Sequence, residues 1–561
     1  MNTFRVIFGQ IIHNIERKFT YKVRIATMRR NFMSAVAFLF AVLLLPAQEN
    51  DSGFIKAFNN INGAVLKAQL GYLASDHMEG RKAGEKGEII SSDYIASQLQ
   101  MFGVAPAGDS ALVNDSDDPF VVNGRTYFQN FSIIRTTPGE DAEMTLIARE
   151  GAATRRMCLK NNVDFYIRYP DKTIEIEAPV VFAGYGFKSE KLKCNDFEKL
   201  DLRGKFVARI SGYPGFALEK LTLPELAAAS RDAESTARQM GAAGIIEINP
   251  ESSAAGFRPA GKSTNPSDRE QRPYAPPLTG SYRLAENANS DTFIKIYVSS
   301  GTGNELLKDS GSSLSEYISK SRSSYVSQLP AIKNKSITVK TDVRTEEIKV
   351  RNVIGIIEGR IKDQFIVLGA HYDHLGSSGG YIWNGADDNG SGTVGVMTIA
   401  KAIMETGIRP GKSVIIALWT AEEEGLLGSR YFVRNLPYSK NQIRLNMNFD
   451  MIGRHVSDDE PDKAVITYNG SLPILRSVTE NNLKKYNIGL KPDFQPSDNP
   501  QGGSDHRSFA ESGIPVFRIK PGHREEYHTP FDETRVIDWD IMEKIVRISF
   551  ADAWELANTE W

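Results

Sequence analysis

The C-terminal two-fifths of this 561-residue chain predicts an α/β fold, a three-layer α/β/α sandwich around a mostly parallel central sheet. Three observations predict it. Apolar runs of strand length alternate with stretches of helical periodicity from about residue 345 onward. The runs are near-continuous, as in Phe365-Ile366-Val367-Leu368-Gly369-Ala370, which is how strands covered on both faces read. Acidic or imidazole residues stand where the runs end, the edge at which open α/β sheets hold ligands.

Taken in order, the chain first shows a basic Met28-Arg29-Arg30 and an apolar Ala35–Leu45, then Pro46-Ala47 before polar Gln48-Glu49. This reads as a secretory signal peptide, so residues 1–47 are set apart from the fold and a secreted or periplasmic location is expected. The apolar stretch is short for a membrane span, and no stable membrane insertion is expected after cleavage. Residues 1–27 precede the signal, and translation from Met28 would account for them.

Residues 54–175 read as the N-terminal part of the main domain. Helical spacing covers Ile55–Ser75 and Ser91–Phe102, and short alternating runs such as Met144–Ile147 and Val163–Ile167 read as strands. His77, alone in a charged turn, reads as a surface residue. Residues 176–335 read as a small β-rich inserted domain, with strands at Pro179–Phe187, Phe206–Ile210, Ile245–Ile248 and Thr292–Val298. Its Ser-, Pro- and Gly-rich stretch 251–283 reads as a surface excursion. No cluster of ligand type falls in this part, so a binding or lid role suits it.

Residues 345–561 form the main part of the predicted catalytic domain. Strands are expected at Val353–Ile357, Phe365–Ala370, Ser413–Trp419, Ile443–Phe449, Ala464–Tyr468 and Ile514–Ile519. Helices are expected at Gly392–Met404, Gly425–Asn435, Pro473–Lys485, Ser504–Glu511 and Asp538–Leu556.

With 67 basic and 69 acidic residues the net charge is −2, which gives no footprint for nucleic acid. The two cysteines, Cys158 and Cys194, exclude a four-thiolate zinc site, and their pairing stays open. Of the eight histidines, His371, His374, His455, His506, His523 and His528 fall in the last third, which points to that third for a metal site.

His371 and Asp373 follow the first core strand, and Asp387 lies in the next loop. Glu422-Glu423-Glu424 follow Ser413–Trp419, Asp450 ends Ile443–Phe449, and His528 follows the last strand. A parallel sheet brings these strand ends to one edge. Imidazole and carboxylate together suit zinc. One carboxylate shared between two ions, with one His and one carboxylate for each, makes a two-metal hydrolytic site. A spare carboxylate beside it can act as general base. Alone, the Glu triplet would read as a solvated helix start.

At these residues the chain resembles the zinc exopeptidases of the bacterial leucyl aminopeptidase, glutamate carboxypeptidase and transferrin receptor superfamily. The motifs are Ala370-His371-Tyr372-Asp373, Gly385-Ala386-Asp387-Asp388-Asn389-Gly390, Ala421-Glu422-Glu423-Glu424-Gly425, Asp450-Met451-Ile452-Gly453, Ser504-Asp505-His506 and His528-Thr529. Leu73-Ala74-Ser75-Asp76 with Gly80-Arg81 resembles the secreted members, and the insert resembles a protease-associated domain.

The resemblance implies two zinc ions per chain, with Asp387 bridging, His371 and Asp450 on one ion, and Glu423 and His528 on the other. It implies Glu422 as general base, Asp373 as the partner of the far nitrogen of His371, and a cis bond between Asp387 and Asp388. Asp505 and His506 become substrate-side residues, while His374, His455 and His523 match no ligand position. A secreted aminopeptidase acting on peptides is expected. A carboxypeptidase or dipeptidase of the same superfamily, or a non-catalytic peptide-binding protein, is the alternative.

Overall fold

The computed structural model describes residues 52–561 except 112–116, 140–141, 162, 169–171, 232, 251–279, 288–292, 456 and 501. The expected signal peptide and most of the 251–283 excursion lie outside the described residues.

A large sheet organises the chain. Its strands are β1 (Phe128–Pro138), β2 (Val343–Ile357), β3 (Ile361–His371), β4 (Lys412–Trp419), β5 (Ile443–Phe449), β6 (Lys463–Tyr468), β7 (Lys491–Pro496) and β8 (Val516–Lys520). They lie in the order β1-β2-β4-β3-β5-β8-β6-β7, and Ser281–Leu284 adds an edge beside β1. The middle four, β4-β3-β5-β8, are mutually parallel. The flanks are antiparallel at β1-β2, β2-β4 and β8-β6. The edge pair β6-β7 is again parallel, so the sheet is mixed, with the expected parallel character in its central four strands and at one edge. That centre carries the unbroken apolar text. β2 begins as Val343-Arg344-Thr345-Glu346-Glu347, where consecutive exposed positions leave both faces of the strand open.

Two helical layers cover the sheet. On one face pack α1 (Gly63–Leu73), α2 (Lys86–Met101), α3 (Gly392–Glu405), α5 (Ile474–Lys485) and α7 (Trp539–Asn558), against Ile366, Leu368 and Ala370 of β3. On the other, α4 (Leu427–Arg434) and α6 (His506–Ala510) pack Phe432 and Phe509 against Val367, Ala417 and Trp419. The alternation along β3 sends successive side chains to opposite cores. The predicted helix over Ile55–Ser75 is broken at residues 61–62. Asn62 caps the second half, its side chain accepting from the amides of Ala64 and Val65. Strand β7 was not foreseen, because Lys491-Pro492-Asp493-Phe494 has two strand-poor residues and sits at an edge, where such residues are tolerated.

A second, eight-stranded sheet with its own apolar core is built from strands between Glu143 and Thr341, so it starts earlier and ends later than the 176–335 expected for an insert. Ile174–Phe182, Phe206–Ile210, Gly244–Ile248 and Ile294–Val298 run parallel, and antiparallel strands flank them. Val163–Ile167 is realised as Phe165–Arg168. Cys158 is exposed, Cys194 is buried, and both are free thiols. His77 is exposed in a single turn at Asp76–Met78.

Candidate functional site

The four central parallel strands all end at one edge of the large sheet. There β3 delivers His371, the segment after β4 delivers Glu422 and Glu423, β5 delivers Asp450, and the loop after β8 delivers His528. Four non-glycine residues at these strand ends hold positive φ: Ala421 (54°), Leu426 (62°), Met451 (58°) and His528 (57°). Such conformations persist where surrounding structure holds them, and they cluster at functional sites.

The side chains form two adjoining groups. His371, Glu422 and Asp450 place ligand-type atoms within 4.8 Å of one another, and so do His374, Asp388 and Glu423. Asp388 joins them. Its Oδ1 is 3.4 Å from His371 Nε2, and its Oδ2 is 3.0 Å from His528 Nε2. His528 Nε2 is also 3.2 Å from Glu423 Oε2. His371 Nε2 is 3.9 Å from Glu422 Oε2 and 4.0 Å from Asp450 Oδ1.

The position expected to bridge, Asp387, points elsewhere. Its Oδ1 accepts from the Gly453 amide at 2.7 Å and from the Ser391 hydroxyl at 3.2 Å. The carboxylate that lies between the two imidazoles is therefore Asp388, one residue on. The cis peptide bond likewise lies between Asp388 and Asn389, not between Asp387 and Asp388. The turn that selects Asp388 begins at Gly385 (φ 55°), where a Cβ would stand 2.1 Å from the Asp388 carbonyl and 2.5 Å from the His374 ring. Only glycine admits that approach.

The surroundings fix these groups. Asp373 is fully buried, and its carboxylate accepts from the amides of Glu422 at 3.1 Å and Glu423 at 3.3 Å. Its backbone carbonyl is the group 3.2 Å from His371 Nδ1, and its Oδ1 is 3.7 Å away. Asp373 thus positions the Glu422-Glu423 pair as well as the imidazole.

Two residues that sequence reasoning left aside belong here. His374, set down as a bystander, is fully buried with Nδ1 2.8 Å from Glu423 Oε1. Asp532 accepts from the amides of Asp387 (2.8 Å) and Asp388 (2.9 Å), holding the loop that aims Asp388. The signals were present in Asp373-His374 and in His528-Thr529-Pro530-Phe531-Asp532, where a second polar group follows each predicted ligand.

Arg81 ties the loops together. Its buried guanidinium donates to the carbonyls of Tyr372, Leu73, Asn384 and Gly385 at 2.6–2.9 Å. Asp505 and His506 are both buried near the cluster. Burial lifts the Asp505 carboxyl to about 7, against the pull of His371. His455 stands apart, on Asp538 and Asp458.

Charge tests the fit of a cation. Asp388, Glu422, Glu423 and Asp450 crowd one buried edge. Burial lifts Glu422 well above the usual carboxyl range, reinforced by Glu423, Asp505 and Asp450 and opposed by His371. Burial would lift Asp388 and Glu423 too, yet the histidines hold both low. His528 Nε2 lies 3.0–3.2 Å from two carboxylates without the alignment of a hydrogen bond. Convergence of imidazole and carboxylate donors, with His528 Nε2 and His374 Nε2 left without a hydrogen bond, fits divalent cations.

Residues 352–551 match the model of peptidase family M28. The chain is 34% identical over 166 residues to leupeptin-inactivating enzyme 1 of Streptomyces exfoliatus, covering 29% of this chain and 34% of that protein. It is 32% identical over 257 residues to the glutamate carboxypeptidase 2 homolog of Caenorhabditis elegans, covering 40% of this chain and 32% of that protein. The chain thus spans about a third of the length of these curated relatives. In fold it is similar to the aminopeptidase from Aneurinibacillus sp. strain AM-1, with a TM-score of 0.52 at 16% identity over 90% of this chain and 97% of that one.

Proposed function

We propose that this chain, whose residues 352–551 match the model of peptidase family M28, is a di-zinc metallo-aminopeptidase that removes N-terminal residues from peptides. The observation that carries this reading is Asp388, whose two oxygens face the two imidazoles His371 and His528. His371 and Asp450 would hold one ion, Glu423 and His528 the other, and Asp388 would be shared. Bound zinc supplies Lewis acidity toward the scissile carbonyl and lowers the pKa of water.

The chain's own residues do the rest. Both oxygens of Glu423 are engaged, one by His374 and one by His528. The Glu422 carboxylate accepts no hydrogen bond among the described residues, so it is the carboxylate left to handle protons. In hydrolysis Glu422 takes a proton from the attacking water. It returns one to the amide nitrogen as the peptide bond breaks and the amine leaves. Asp373 holds the Glu422 backbone in place during both transfers.

A secreted or periplasmic location is part of the proposal and rests on Met28–Ala47. Among the described residues no helix is long and apolar enough to cross a membrane. The test is to incubate zinc-loaded protein with peptides bearing free or acetylated N-termini and to read products by mass spectrometry. Stepwise loss from free N-termini, stopped by acetylation or a chelator, is expected. Trimming from the carboxyl end would replace the proposal with a carboxypeptidase.

A further inference from the structure

Tyr372 stands between His371, an imidazole of the cluster, and Asp373, which holds the Glu422-Glu423 backbone. Its own backbone is tied on both sides. The Tyr372 amide donates to the Trp419 carbonyl at 2.8 Å, and its carbonyl accepts from Arg81 Nε at 2.7 Å. The ring is fully buried in the core that α2 covers. There its hydroxyl meets two groups, the Glu88 carboxyl through Oε1 and the Arg351 carbonyl at 2.6 Å. Glu88 lies in the first turn of α2 and is also fully buried. A Cβ at Gly87 would stand 1.7 Å from the Met78 carbonyl, so glycine there lets that turn seat closely.

Counting protons decides the state of Glu88. A phenol carries one proton, and a backbone carbonyl only accepts. Two oxygens in hydrogen-bond contact need a proton between them. The tyrosine proton fills the contact to Arg351, so the contact to Glu88 is filled by a proton on the carboxyl. No cation is left to keep Glu88 ionised. Among the described residues it enters no ion pair, and Arg351 is engaged by Asp93 at 2.5 Å and by the Ser92 hydroxyl at 2.9 Å. Glu88 Oε2 is buried without a hydrogen-bond partner. The carbonyl oxygen of a neutral acid bears that better than a carboxylate does. Burial lifts the Glu88 carboxyl to about 7, opposed by Tyr372, Thr420 and Arg351 and reinforced by the like charge of Asp373.

We propose that Glu88 is a positioning residue of the metal cluster that works as a neutral acid. Its proton hydrogen-bonds the Tyr372 hydroxyl, and through that side chain it fixes the backbone that aims His371 and Asp373. The inference rests on the metal-site reading given above. It gives α2, from the N-terminal part of the chain, a part in shaping the catalytic edge.

Two measurements test it at about pH 6, below the value near 7 to which burial lifts the group. Competition with a metal-sensitive dye gives zinc affinity. Infrared difference spectroscopy between the wild-type protein and Glu88→Gln gives the proton. An amide N–H donates from the place of the acid proton, so Glu88→Gln should keep zinc affinity. Glu88→Leu and Tyr372→Phe should each lower it about 10- to 100-fold, as for other groups that orient ligands. Tyr372→Phe keeps the test open if Glu88→Leu does not fold. The difference spectrum should contain the C=O stretch of a protonated carboxyl. Equal loss of affinity in Glu88→Gln and Glu88→Leu would overturn the proposal. So would carboxylate stretches alone in the difference spectrum, or unchanged affinity in Tyr372→Phe. If the wild-type protein binds no zinc, the metal-site reading fails. The infrared spectrum and urea midpoints of the same variants then decide the Glu88–Tyr372 bond, and Glu88→Gln no more stable than Glu88→Leu sinks it.

Discussion

Replacing Arg81 by methionine should both destabilise the protein and loosen its metal site. The guanidinium donates to four carbonyls, at 2.7 Å to Tyr372, 2.7 Å to Leu73, 2.6 Å to Asn384 and 2.9 Å to Gly385. Hydrogen bonds to charged groups contribute roughly 1.5–3 kcal/mol each, so the four sum to about 6–12 kcal/mol gross. Burying the guanidinium offsets several kcal/mol of that, leaving a net loss of about 3–5 kcal/mol on removal. Burial lowers the Arg81 pKa to about 10, opposed first by Asp532 and then Asp373, so the side chain stays charged at neutral pH. Lysine cannot reach four carbonyls and should recover only a minor part. Two of those carbonyls belong to the loop before Asp388 and one adjoins His371, so zinc affinity should fall about 10- to 100-fold, as for other groups that orient ligands. Urea unfolding with and without zinc, and competition with a metal-sensitive dye, measure the two effects. A loss below about 1 kcal/mol with unchanged zinc affinity would refute the role given to Arg81.

Asp388→Asn should lose bound zinc, read by elemental analysis, while Asp387→Asn should keep it, because an amide oxygen can still accept from Gly453 and Ser391. The reverse order would return the bridge to Asp387. Glu422→Gln should keep zinc and lower kcat by about 10²–10⁴; near-normal turnover would remove it as the base. Away from the site, Asp552 on α7 is lifted by burial to about 7, partly countered by Asn482 and Thr479. Its folded pKa lies above its unfolded one, so the unfolded chain binds fewer protons between about pH 4 and 7, and stability falls as pH rises through that window. Asp552→Asn should flatten that slope in urea titrations at pH 5 and pH 8, and an unchanged slope would count against it.

The strand-and-helix order of the C-terminal part was legible because apolar run length and period report burial directly. β5 is realised at the predicted Ile443–Phe449, and α3 ends one residue beyond the expected Met404. The broken first helix and edge strand β7 were missed because a cap and an edge position are tertiary facts. The second sheet escaped correct bounds because its outer strands, such as Ala153–Leu159, bury no residue and so carry no apolar alternation.

By itself, then, the sequence determined which residue types converge. An α/β pattern with acids and imidazoles at strand ends sends them to one edge, and that follows from strand direction alone. Only the tertiary structure decided between neighbours. Asp387 and Asp388 are the same residue type at adjacent positions, and the turn at Gly385 with the Asp532 clamp aims one into the cluster and the other at Gly453. His374 acquires meaning in the same way, since contact with Glu423 depends on where separate strands finish, which no local period encodes.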